Sequence, residues 1–447
     1  MRKISVVPIL LLLSLVFSAC VTPTAAPVDG EVEKATISFW FNPPSGGEGA
    51  SCYEENVVIP FNEQSETIFV DAVAQPEAWN ATRTAMAAGE GPDIVRTPGP
   101  SFVFELAQAG QLLPLDEFVS SEGWDDLFVD WALSLGEVDG TMYSLADELE
   151  TLVLYYNKTL FDQMGWTPPS TVAELHELAA VIANNDIIPF AHANSEWRPA
   201  NEWHVGEYLN HVAGPDRVYE ALTGQIPWTH SDFVTAIELL DEAQQSGWFG
   251  GGLELYYTST FDEVRGLLGS GAAAMNIEGT WVAADLDTLY FTEENGANEW
   301  DWVPVPSQTG APIYDIGMGN TSSINRNSEH PEAVAEFLSY SFSPEAQALL
   351  LKNCGKAPAP VRLTDDAMEG VDPRIASIFI DLAAASDNGG YGYTTWTFWP
   401  PKSDVYIYEE IERVWSGDIT AEEFLQGLDE LFQEELAAGA IPPIPDR

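Results

Sequence analysis

The chain has 447 residues and a formal net charge of −53, from 70 acidic against 17 basic side chains. A nucleic-acid binder needs clustered Lys and Arg to displace counterions, and this composition excludes that class. An apolar fraction of 45% with 15 Trp, 15 Tyr and 21 Phe excludes a disordered chain. The acid is spread along the whole length, which describes a solvated, repulsive surface and disfavours a highly anionic ligand.

In chain order, Arg2 and Lys3 precede an apolar run over residues 6–17, and Ser18 and Ala19 then lead to Cys20. The run is too short to span a bilayer and has the tripartite shape of a signal peptide over residues 1–19. Residues 15–20 (LVFSAC) resemble a bacterial lipobox, with Phe17 where Leu, Val or Ile is usual, so Cys20 is the expected lipidation site. An ordinary secretory peptide is the alternative. Residues 20–34 are too polar for a core and read as a flexible tether. No later segment is long and apolar enough to cross a membrane, so the N-terminal lipid is the expected membrane contact. With Cys20 acylated, Cys52 and Cys354 remain as a pair in an oxidising compartment. A disulfide between them is expected, with two buried free thiols as the alternative.

The folded body starts near Ala35. Residues 35–41 (ATISFWF) form a β-rich run, and a Pro/Gly/Ser loop follows over 42–51. A helix is predicted over 54–64, a strand over 67–73, a helix over 79–88 and a third strand from 91–95. This alternation predicts an α/β fold with βαβ units and a mostly parallel sheet. Thr171 and Glu174 are spaced as a capping box ahead of one apolar face, Leu175, Leu178, Ala179 and Ile182. Further helices are predicted over 328–340, with Pro331 in the first turn, from Ser343 onward, and over 420–436.

Six segments carry a resemblance. GPDIV at 91–95, DGTMY at 139–143, LYYNK at 154–158, the helix start at 169–175, GAAAMNIEGTW at 271–281 and the helix pair at 327–347 follow one another in order. Together they resemble the family-1 sugar type of extracellular solute-binding proteins, the maltose-binding-protein-like group. Ala146 stands where that family commonly has proline. The resemblance implies a two-lobe, type II periplasmic-binding-protein-like fold with a hinge and an interlobe cleft. Lobe one is expected at 35–145 plus 302–342, and lobe two at 146–301 plus 343–447. It further implies an exported monomer on the periplasmic or cell-surface face of the membrane, serving ABC permease subunits. No cofactor, no metal and no catalysis are implied.

A sugar offers an apolar ring face and a fringe of hydroxyls, so its binder wants flat aromatics beside carboxylates and amides. That interleaving occurs at Trp40 with Asn42, at Trp197 and Trp203, at Glu278 with Trp281, and around Trp396 and Trp399. Core packing is the competing reading for any tryptophan, and it weakens in Pro/Gly/Thr loops without helical period. Trp131 and Trp415 sit in apolar-periodic contexts and are assigned to the core. Asp93 reads as a ligand contact or as a turn aspartate. Of Glu148 and Glu150, one is expected in the cleft and the other in solvent. Glu278 is the first choice for a hydroxyl acceptor. Gly317 and Met318 begin a return strand expected to bring its backbone near the ligand. The six histidines show no metal-ligand spacing, and His204 and His211 fall seven apart. No nucleophile elbow, zinc motif or phosphate loop is present. A glycoside hydrolase-like enzyme, a lipid-anchored sensor and a binder of a non-sugar solute remain the alternatives.

Overall fold

The structure, a computed structural model, describes residues 34–41, 51–128, 130–363 and 369–445. The export segment, Cys20, nearly all of the tether and Asn42 lie outside the described residues. Strands β1 (Ala35–Phe41), β2 (Ile68–Ala74) and β3 (Ile94–Thr97) pair in parallel in the order β2-β1-β3. Helical crossovers join them, as parallel pairing requires. The first crossover is a π-type turn, Glu54–Val58, running into the helix Ile59–Gln64. The second is the helix Ala78–Ala87. A two-residue turn at Asp139 and Gly140, both with positive φ, then closes the hairpin of β4 (Glu137–Val138) and β5 (Thr141–Met142).

Strand β6 (Leu145–Glu150) leads directly into β7 (Leu152–Asn157), where the chain changes sheet. The second sheet adds β8 (Ile188–Phe190), β9 (Ala273–Gly279) and β10 (Trp300–Val303) in the order β10-β7-β9-β8. Both β7 and β9 are buried along their entire length, so their sequences are mainly apolar and their polar residues, Asn157, Asn276 and Glu278, are held by partners within the protein. Strand β11 (Tyr314–Ile324) pairs in turn with β12 (Tyr391–Tyr393), β6 and β3. It therefore belongs to both halves of the molecule: Ile316 and Met318 pack in one core and Ile324 in the other.

The first core gathers Ile37, Phe39, Val70, Ile94, Phe337 and Leu338 on the first sheet. The second, larger core surrounds Leu154, Tyr155, Met275 and Ile277 and includes Trp228, Trp415 and Phe432 from the flanking helices. The helix Pro344–Cys354 falls differently from the expected lobe boundary at 343. Ala346 and Leu350, with Ala359 and Val361 beyond it, pack on the first core, and only Leu351 and Ala357 reach the second. Two residues, Phe342 and Ser343, separate it from the helix Pro331–Ser341, leaving no length for a crossing at that point. A disulfide joins Cys354 to Cys52 on the same side. Helix entry points follow the local chemistry. Thr171 and Glu174 form the reciprocal capping box, and Thr420 and Glu423 form another ahead of the helix Ala421–Ala437. Among the described residues no helix is long and apolar enough to cross a membrane.

Candidate ligand-binding cavity

Between the two cores lies a cavity of about 350 Å3. The first side of its wall consists of Trp79, Pro98, Glu148, Glu150, Gly319 and Asn320, and the second side of Trp197, Glu202, Trp203, Phe261, Arg265, Trp281 and Trp396. Its size is that of a small-molecule site, with apolar rings and a few converging polar groups.

The second side is a sheet of rings. Trp203, near the start of the helix Asn201–Tyr208, lies 5.1 Å from Trp281 and 5.9 Å from Phe261, centroid to centroid. Trp281, in the turn that ends β9, lies 6.1 Å from Trp396. Trp197 meets Trp79 edge to face at 5.3 Å, so one indole from each side touches across the cavity. Arg265, from the helix Phe261–Ser270, stacks over Phe261 and is held by both carboxylate oxygens of Glu278. Asn276 donates to Glu278 as well.

The first side is built by β6 and β11. Period two puts Glu148 and Glu150 on one face of β6. The opposite face is covered, with the Leu149 amide donating to Pro358. Both carboxylates therefore line the cavity, and neither faces solvent as the sequence reading expected for one of them. Gly319 stands where any Cβ would collide with the Glu150 carboxyl group, so its missing side chain makes that carboxyl's place. Asn320 takes φ 44°, uncommon for a residue with a side chain, and donates to Glu148 Oε1 at 2.8 Å.

Burial acts on the three carboxyls with different results. Desolvation would raise Glu148, but Lys356 at 2.6 Å, Arg96 nearby and the Asn320 amide outweigh it and hold the group below its ordinary value. Glu150 has no cation of its own. Desolvation first, and the neighbouring Glu148 second, push it well above the carboxylate range. Glu202 is raised well above its ordinary value by desolvation and then by Asp404, while Thr395 Oγ1 donates to it at 2.8 Å. The cavity thus sets a carboxylate favoured in its ionised, accepting form, Glu148, beside two carboxyls, Glu150 and Glu202, whose surroundings favour the neutral form that can donate as well as accept. It also offers a fixed guanidinium.

The other candidates from the sequence lie elsewhere. Trp40 lines an adjoining cavity of about 190 Å3, which shares Trp79 and Asn320 with the main one. Asn42 lies outside the described residues. Asp93 is structural: one carboxylate oxygen accepts from the Ser38 amide and hydroxyl, and the other from Ser328, tying β1 to the turn after β11. Glu278 does not line the cavity. Both its oxygens are taken by Arg265 and Asn276, so it positions the arginine from behind. Gly317 and Met318 do not line the cavity, which β11 reaches at the next residue, Gly319. A Cβ on Gly317 would meet Thr394 Oγ1 at 2.8 Å, and the buried Met318 amide donates to Thr397 Oγ1. Trp399 is fully buried, as is Trp415.

Sequence reasoning missed Trp79, Pro98, Glu202, Phe261 and Arg265, whereas Gly319 and Asn320 fall in the return strand, 317–320, that it expected near the ligand. Trp79 stands in the first turn of a helix, so the loop setting that singled out Trp197 did not apply to it. Arg265, a rare cation in a chain dominated by acid, carried a readable signal.

Residues 56–368, more than half of the chain, match the family described as bacterial extracellular solute-binding protein. A multiple sugar-binding protein of Streptococcus mutans is 20% identical over 85% of this chain and 88% of its own length. An osmoprotective compounds-binding protein of Synechocystis sp. is 24% identical over 73% of this chain and 81% of its own. Among solved structures, a chitin oligosaccharide binding protein aligns with a TM-score of 0.75 at 20% identity, over 91% of this chain and 100% of that one. The fold is the two-lobe fold that the ordered motifs implied. The chain belongs to the bacterial extracellular solute-binding proteins.

Proposed function

We propose that this protein captures a carbohydrate in the cavity between its cores and delivers it to the permease of an ABC importer. The observation that carries the proposal is the run of indoles Trp203, Trp281 and Trp396, with Phe261, opposite Glu148, Glu150 and Asn320. Flat rings cover the C–H face of a pyranose, while carboxyls, an amide and a guanidinium accept from and donate to its hydroxyls. A neutral polyhydroxylated ligand suits Glu150 and Glu202, whose burial disfavours ionisation, because neither would have to ionise to bind it. The names of the relatives, sugar-binding and oligosaccharide-binding, support the same class.

In this reading the lobes, 35–145 plus 302–342 and 146–301 plus 343–447 in outline, close about the crossings at β6–β7 and β11. The helix Pro344–Cys354 moves with the first lobe. Hinge closure of this kind is the handling of ligand that periplasmic binding proteins exemplify. Family membership puts the protein on the outer side of the cytoplasmic membrane. Acylation of Cys20 would hold it there as a monomer on its tether. The ligand leaves unaltered.

Thermal-shift titration against neutral mono- and oligosaccharides, neutral osmolytes, amino acids and polyamines tests the reading. Stability should rise with saccharide concentration above its dissociation constant, with the sugar recovered intact. A shift with amino acids or polyamines alone would overturn the sugar assignment, and a cleaved sugar would make the protein a hydrolase.

A further inference from the structure

Behind the aromatic side of the cavity lies a second polar cluster that the binding reading does not use. Glu207 belongs to the helix Asn201–Tyr208, and His211 follows one turn later in the π-type turn Leu209–Ala213. Spacing of i,i+4 places both on one face. Asp315 meets them from β11, at the point where β11 pairs with Gly392 of β12. A Cβ on Gly392 would collide with Asp315 Oδ1, so the glycine makes room for that carboxylate. His211 Nε2 lies 3.1 Å from Glu207 Oε2 and 3.6 Å from Asp315 Oδ1, and one ligand atom from each residue falls within 4.8 Å of the others. Donors bound about 2.1 Å from one metal ion stand roughly 3–3.5 Å apart, close to these separations.

All three side chains are 2–3% exposed. Outside the cluster, Glu207 Oε1 and Oε2, His211 Nδ1 and Nε2 and Asp315 Oδ1 have no hydrogen-bond partner among the described residues. Buried polar atoms are rarely left so, and one from each of the three residues, His211 Nε2 among them, can share a single partner. No Lys or Arg pairs with either carboxylate among the described residues. A void of about 10 Å3, the size of one water molecule, abuts Glu207 and His211.

We infer that Glu207, His211 and Asp315 form a buried site for a divalent transition-metal ion of the Zn2+ or Mn2+ class. One imidazole and two carboxylates suit such ions. A doubly charged cation neutralises two carboxylates and a neutral histidine, and the void accepts a water as a further ligand. The helix Asn201–Tyr208 also carries Glu202 and Trp203, and β11 also carries Gly319 and Asn320. The ion therefore braces both sides of the cavity from behind. A protonated ion triad without metal is the competing account, and experiment separates the two.

Full-length protein purified without chelators or metal-affinity resin, then gel-filtered, is assayed for bound metals by mass spectrometry. Chelator-treated protein is titrated with Zn2+ and with Mn2+ while its melting temperature is followed. The site predicts close to one retained equivalent and a rise of about 3–5 °C on reloading, both lost in His211→Gln. No retained metal together with no shift for either ion overturns the inference. Equal retention by His211→Gln also overturns it, since the metal would then sit on surface carboxylates. If that variant fails to fold, anomalous scattering from wild-type crystals grown with Zn2+ decides. A peak between the three side chains supports the site, and peaks only elsewhere refute it.

Discussion

The two sides of the cavity meet the same ligand with different physics. The second side is an extension of a core: Trp203 is 8% exposed, and its ring neighbours Trp281 and Phe261 pack against the same cluster. The first side is an electrostatic arrangement, in which Lys356 settles the charge of Glu148 while Glu150 two residues away is denied a cation. Rings bind through area, which no change of pH alters. Carboxyls bind through protonation state, which pH does alter. If this division is right, damage to the second side should cost stability and affinity together, whereas the first side should show its effects in pH and in ligand discrimination.

The sharpest test is Trp203→Ala. Truncating a buried tryptophan costs about 3–5 kcal/mol, so a large fall in melting temperature should accompany loss of measurable saccharide binding by calorimetry. Intact stability with lost binding would show that this side is a surface and not a core. The disulfide offers the converse test. Replacing Cys52 and Cys354 together by serine should cost about 2–5 kcal/mol in denaturant unfolding and change affinity far less, because neither cysteine lines the cavity although Lys356 follows Cys354 by two residues. A matching loss of affinity would tie the bridge to the ligand site.

The pH dependence should be smaller and has a definite sign. Desolvation pushes Asp404 up to about 6, and Glu202 beside it is raised as well. A carboxyl whose folded value is raised contributes stability below its unfolded value, and that contribution is lost as pH rises through the folded value. Unfolding free energy should therefore decline between about pH 4 and 6 and beyond. The shift of Asp404 alone corresponds to roughly 3 kcal/mol of the decline. Glu202→Gln should flatten this decline relative to wild type, and parallel curves would show that burial of Glu202 does not contribute to it. Least of all, Trp79→Ala removes one edge-to-face contact worth about 0.5–1.5 kcal/mol, so affinity should fall up to tenfold with little change in melting temperature.

The fold was largely legible because its signals are local and ordered. The capping box at Thr171, the buried runs of β7 and β9 and the turn at Asp139 each declare themselves within a few residues. The tryptophans picked for their Pro-, Gly- or Thr-rich setting were Trp197, Trp203 and Trp396, which line the candidate cavity, and Trp399, which is buried away from it, while Trp281 was picked beside Glu278. What pairs with what was not legible. Glu278 looked like a ligand group because its motif is strong, yet Arg265, thirteen residues earlier on another element, occupies it. Asp93 was similarly claimed by Ser38 and Ser328. Such partners are chosen by tertiary contact, and no spacing along the chain encodes them.

The touching indoles Trp79 and Trp197 have one further use. They belong to opposite sides of the cavity and lie close enough to influence each other's excited states. Opening the cleft would part them and wet both rings, shifting their emission to the red. The protein thus carries its own optical gauge of opening, readable in stopped flow without any attached dye.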